Sequence, residues 1–353
     1  MGSKAGLALR GGEKPDIRMK RCIIGICLGL WGAGGSSAAT IEEAVQEFQL
    51  VELAGTFDDK KIERLLPSNA GWIEAVDRAA VAVLLAVGVV EESLMANAAR
   101  LSQQLDRALS QIGEVEGEVR VSLEDASALM LLYRFGGHEE LCQATELSRS
   151  LDYAIAEGVL TGYGLRRPHV SAETDPLRTV IYSHSSLPHI KQLVGLMASE
   201  GLKGNIYIAP KIAPFVFRDG WGERPEWINE LSPGLYVAQG PEMLVHFEFE
   251  RPTDRLRLAE LVNRYAKKDT DDGTGNLIRS WWQPFYYGET PVEGYHEIHR
   301  VTLYAEQAEA SLLMLPERTE IVLQHFKESK WEMQADSIWV SAPFYRFLQG
   351  DYR

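Results

Sequence analysis

Apolar residues recur at three- and four-residue spacing through the first part of the chain. Ile41, Val45, Phe48 and Val51 share one helical face that ends near Gly55. Trp72, Val76, Val83, Val87 and Val90 continue the period, and Leu94, Ala98, Leu101, Leu105, Leu109 and Ile112 form an amphipathic stripe. Such spacing puts the apolar side chains on one side of a 3.6-residue turn. Ser122-Leu123-Glu124-Asp125 has the form of a helix start before Leu129 and Leu132, and Gly136-Gly137 stops that helix. Leu141, Leu147, Leu151 and Ile155 mark a last helix, with Gly158 just past its end. Four or five helices joined by short links predict an antiparallel bundle over residues 40–160.

Beyond residue 176 the pattern changes. Thr179-Val180-Ile181-Tyr182 reads as a short buried strand, and Ser186-Leu187-Pro188 as a helix start with a capping serine and an early proline. Asn205 to Ile208 is the next strand, Met243 to Phe249 alternates as another, and Pro252-Thr253 opens a second helix. Ser280 to Tyr287, Ile298 to Tyr304 and Thr319 to Phe326 read as further strands. A strand–helix–strand unit occurring twice predicts an α+β domain over residues 176–353, of the ferredoxin-like, split βαβ kind.

Composition supports that division. Of the 15 prolines, 13 follow residue 167, as do six of eight Trp and seven of eight His. A proline-poor helical half and a proline- and aromatic-rich half is the shift expected between an all-helical unit and a sheet-containing one.

The N-terminus carries a different signal. Met19-Lys20-Arg21 is basic, Cys22 to Ala33 is apolar, and Gly34 to Ala39 is made of small residues. This is the tripartite form of a secretory signal peptide cleaved near Ala38 or Ala39, with residues 1–18 an upstream extension. The expected location is therefore periplasmic or secreted. The whole chain of 353 residues carries a net charge of −14. Residues 1–39 hold six basic and two acidic groups, so the mature part keeps 30 basic against 48 acidic residues, a net charge of −18. That balance excludes the basic footprint of a nucleic-acid binder. Of three cysteines only Cys142 lies beyond the signal, so no intrachain disulfide is expected in the mature part. Ala79 to Val90 is strongly apolar, but its twelve residues fall short of the ~20 needed to cross a bilayer.

Candidate chemistry is sparse. Ser183 and His184 sit where a strand meets a helix start, a place that can hold an anion, and Asp219 is a possible carboxylate partner, along with Glu248 and Glu250. His296-Glu297-Ile298-His299 has one residue too few for the H-E-x-x-H zinc motif, and on a strand its two histidines face opposite ways. No metal and no cofactor is expected. Trp281 and Trp282 are adjacent, so on a strand one of them points outward, and Trp221 lies in a glycine-flanked loop. Outward aromatics bury large area at low entropic cost, which suits a protein or glycan partner. The reading that follows is an exported, noncatalytic binding or interaction protein of the bacterial envelope. The alternative is an envelope hydrolase with its site near His184.

Overall fold

The computed structural model describes residues 39–95, 97–113, 115–116, 118–137, 145–167, 174–218, 223–224, 228–265, 277–279 and 284–351. The segment read as a signal peptide, up to residue 38, lies outside them. The chain begins with short helices. In α1 (Ile41–Glu47) Thr40 and Glu43 form a capping box, each side chain accepting from the other's backbone N–H. These bonds satisfy donors that a helix N-terminus leaves free. Then come α2 (Val51–Gly55), α3 (Asp59–Leu65), α4 (Arg78–Ala86) and α5 (Ala98–Leu109). Gln49, at φ 57°, breaks the helical period between α1 and α2. The apolar run at 79–90 fills the centre of this layer, with Val81, Ala82, Val83 and Leu84 buried.

Two short strands, β1 (Val115–Glu116) and β3 (Phe135–Gly137), pair in parallel around β2 (Val119–Ser122) and α6 (Ala126–Arg134). They are followed by α7 (Thr145–Ala156), β4 (Gly164–Arg166), β5 (Thr179–His184), α8 (Leu187–Ser199) and β6 (Gly204–Ile212). A three-stranded sheet of β7 (Phe215–Val216), β8 (Ile228–Ser232) and β9 (Leu235–Ala238) is inserted before β10 (Pro241–Phe249). The rest is α9 (Asp254–Tyr265), β11 (Tyr286–Gly288), β12 (His296–Ala305), β13 (Ala308–Met314), α10 (Thr319–Phe326), β14 (Glu332–Val340) and α11 (Ala342–Leu348).

Eight of these strands close on themselves. The order β10-β5-β11-β14-β12-β13-β4-β6 returns to β10 through a nine-residue antiparallel register from Pro241↔Ile212 to Phe249↔Gly204. Every pairing in the ring is antiparallel. β2 adds outside the ring, on β6. Closure leaves a barrel whose side chains alternate between an outer and an inner face.

The outer face is covered in two places. Val180, Tyr182, Ile206, Ile208, Val245 and Phe247 share one apolar core with α8, α9 and the N-terminal helices. On the other half, Leu165, Val301, Leu303, Ala308, Ala310 and Leu312 pack with α7 and α10. Helix α8 has barrel on one side and α2 and α4 on the other, so it is buried nearly all round.

The expected fold is thereby corrected. The sheet is an eight-stranded closed antiparallel barrel, not an open ferredoxin-like βαβ sheet. Strands β5, β6, β10 and β12 and helices α8 and α9 form where the pattern predicts them, and β11 overlaps only the end of the expected Ser280–Tyr287 strand, of which 280–283 lie outside the described residues. However, β12, β13, β14 and β4 continue the sheet until it meets its own edge. Nor do the N-terminal helices make a free-standing bundle, because their apolar faces enter the same core as the barrel wall. Thr319–Phe326 is a helix rather than a strand. Val322 and Phe326, one turn apart, are its buried positions, and Pro316 starts the preceding 3₁₀ turn.

Candidate functional site: the barrel interior

Alternation assigns the inward residues directly. Leu165 packs outward, so Arg166 turns in. The same parity sends Tyr207, Ala209 and Lys211 of β6, His246 and Glu248 of β10, Arg300 and Thr302 of β12, and Glu309 and Ser311 of β13 to the interior. The β12–β14 register places Asp336 opposite Arg300.

This interior is polar at its centre. Arg300 Nε donates to Asp336 at 3.0 Å and Nη1 to Glu289 at 2.7 Å, one guanidinium between two carboxylates. These three side chains are 18–31% exposed, so water reaches the layer. Lys211 pairs with Glu242 at 3.1 Å. His246 packs edge-on against Tyr207, ring centroids 5.8 Å apart. Glu248 accepts from Arg178 Nη2 and from the Asp175 N–H, both at 3.0 Å. Arg166 Nε pairs with Glu309. Its Nη1 is buried and has no hydrogen-bond acceptor among the described residues. One mouth of the barrel is apolar. There Ile298, Ile338 and Val340 pack under α11. Phe285 stacks on Phe344 at 4.9 Å, and Tyr345 on His296 at 4.5 Å.

A second polar cluster lies on the outer wall, where β5 meets α8. His184 follows Tyr182 by two residues and so faces the helices. Its ring stacks on His189, centroids 4.1 Å apart and planes 19° from parallel. The Ser186 N–H donates to His184 Nδ1 at 2.9 Å, and the Ser186 hydroxyl caps α8. His189 Nδ1 donates to the Ile278 carbonyl at 2.8 Å, since a carbonyl can only accept. Gln192 takes the N–H of the same residue, its Oε1 accepting from Ile278 at 2.7 Å. Its amide nitrogen donates to the Gln49 carbonyl and to Glu52, each at 2.7 Å. Arg279 is held at φ 51°. Burial pushes His184 down to about 4 and His189 down to about 3, so both imidazoles are neutral at pH 7.

The candidates from the sequence fall as follows. Ser183 and His184 are neighbours on β5, so Ser183 faces the interior and His184 the helices, and they do not meet. Glu248 is likewise on the inner face, separated from His184 by the barrel wall. His299 points to α10, where Nδ1 meets Thr319 Oγ1 at 2.8 Å, while His296 faces α11, so these two also diverge. Asp219, Trp221, Trp281 and Trp282 lie outside the described residues. No described helix is long and apolar enough to cross a membrane. Arg166, Lys211, Arg300, Glu309 and Asp336 were not expected. In β6 and β13 their signal is a charged residue at an alternate position of a mainly apolar strand, as with Lys211 and Glu309, which a barrel interior explains and an open sheet packed under helices does not. No family model, curated protein or solved structure matches the chain.

Proposed function

We propose that this is an exported binding protein of the cell envelope, and that its ligand is a small polar molecule held in the barrel interior. One observation carries the reading: the buried Nη1 of Arg166 lacks an acceptor among the described residues. A buried donor left unmade costs about 1–3 kcal/mol, a cost that an oxygen of a bound ligand removes. Gly164 lines the same face two residues before Arg166. Lys211 Nζ lies 3.9 Å from where a Gly164 side chain would begin, so a second cation borders that space. Glu309 and Glu242 balance the two cations, which favours a ligand rich in acceptor oxygens but of low net charge, a sugar or a small zwitterionic carboxylate. An eight-stranded barrel is just wide enough for one such molecule.

The test is a binding screen of neutral sugars and amino acids against the purified protein, read by thermal shift and confirmed by calorimetry. Arg166→Gln should abolish the shift of any hit, and the free protein should still fold, with a lower melting temperature because the buried Glu309 loses its cation. A hit that binds Arg166→Gln equally well, or the absence of any hit in both classes, refutes the reading. Export is tested separately by fusing residues 19–45 to a reporter active only outside the cytoplasm. Signal from the intact fusion, and none after deletion of residues 19–33, is the expected result.

A further inference from the structure

We propose that the stacked His184–His189 pair is an acid-sensitive latch that holds residues 277–279 against α8 and releases them when the pair takes up a proton. The inference is independent of any ligand in the barrel.

Both rings are already committed to one protonation state. His184 Nδ1 accepts from the Ser186 N–H at 2.9 Å, so a proton added there would set donor against donor and break the contact that shapes the start of α8. His189 Nδ1 carries the proton given to the Ile278 carbonyl. A positive charge on either ring lies against the face of the other at 4.1 Å, in a place with little water to disperse it.

Burial outweighs the groups that favour that charge, which include Glu242 and the backbone contacts at Ile278 and Arg279. Arg279, on the latched segment itself, opposes protonation of His184, and Glu242 of β10 favours it. Glu242 already pairs with Lys211. Tyr182 of β5 has its ring 6.0 Å and 6.2 Å from the two imidazoles. On α8, Lys191 turns to the Tyr133 carbonyl and Gln192 to Ile278, while Glu52 of α2 meets Gln192 rather than either ring.

Leu277 anchors the segment in the apolar core, and among the described residues its polar hold is three contacts. Ile278 bonds through its N–H to Gln192 and through its carbonyl to His189, and the backbone of Arg279 bonds to His184. Two of these three contacts end on the histidine pair. Arg279 sits in the left-handed region, which a side chain adopts only when its surroundings enforce it.

Hydrogen exchange of the Ile278 amide reads the latch directly, because that N–H is bonded to Gln192. In the purified protein its protection factor, corrected for the intrinsic pH dependence of exchange, should fall at least tenfold between pH 7.5 and pH 5. Val301 and Leu303 of β12 should keep theirs. His184→Asn/His189→Asn supplies an acceptor and a donor that do not titrate, and should remove the pH dependence. Protection at Ile278 equal at the two pH values would overturn the proposal. So would simultaneous loss in β12, which means global unfolding, or the same loss in the double variant. Should that variant not fold, the wild-type comparison of Ile278 with β12 decides alone.

Discussion

Tyr133 and Lys191 bond each other's backbone: the Tyr133 hydroxyl donates to the Lys191 carbonyl at 2.8 Å, and the Lys191 ammonium donates to the Tyr133 carbonyl at 3.2 Å. Through this exchange α6 is fixed to α8, and the cost is an ammonium group inside the protein.

That cost has a pH signature. Burial pushes Lys191 down to about 8, against about 10.4 in an unfolded chain. Between these values the unfolded state binds the proton that the folded state has lost, so stability increases as pH rises from 8. The full effect is about 3 kcal/mol by the free energy of a pKa shift. Urea midpoints should therefore rise from pH 7.5 to pH 9.5, below the ionisation of unfolded tyrosines, and Lys191→Met should flatten the rise. A midpoint independent of pH in the wild type would show that the ammonium is solvated.

Gly195 is predicted to tolerate no side chain. A Cβ there would lie 2.7 Å from Leu53 Cδ2, 2.8 Å from Val87 Cγ1 and 2.9 Å from Tyr133 Oη. These three atoms are side-chain ends from α2, the end of α4 and α6, buried in one core, so all three must shift together to make room. Gly195→Val should cost about 1–3 kcal/mol or more, the scale of an overpacked core, measured by chemical denaturation. An unchanged midpoint would mean that the helical layer is not seated on α8 as described.

Arg300 separates Glu289 from Asp336. With Arg300→Met the two carboxylates face each other in a partly buried layer and at least one takes a raised pKa. A group whose pKa is raised on folding stabilises the fold at low pH and loses that contribution as pH rises. The variant should therefore be less stable than wild type by about 1–3 kcal/mol at pH 7, with the gap narrowing toward pH 5. Melting temperatures at the two pH values check this, and a gap that widens on acidification would contradict it.

Helices such as α5, α8 and α9 and the strands β5, β6, β10 and β12 were legible because each announces itself locally. Val180, Ile206 and Val245 lie in apolar runs, and Ser186 with Pro188 marks a helix start that the structure uses. The ring was not legible, because its decisive joints are short and distant in sequence. β4 has three residues and pairs with β13 about 145 positions later, Gly164 against Ser311. Thr319, Ile321 and Val322 have the branched side chains of a strand, and only the Val322–Phe326 spacing argues for the helix. The site divides in the same way. His184 was singled out for its place at a strand end. Its contact with His189, five residues on and across a strand-to-helix turn, follows from no single periodicity. Arg166 and Arg300 gained meaning only once both faces of the wall were occupied.

Ring closure also sets an order of events for the growing chain. β13 and β14, the strands that join the two halves, come last among the barrel strands in chain order. Until they emerge, β4 and β11 each keep an unpaired edge and the charged interior lies open to water. The ring cannot close before Val340 has been made, because β14 supplies the edge that β11 pairs with.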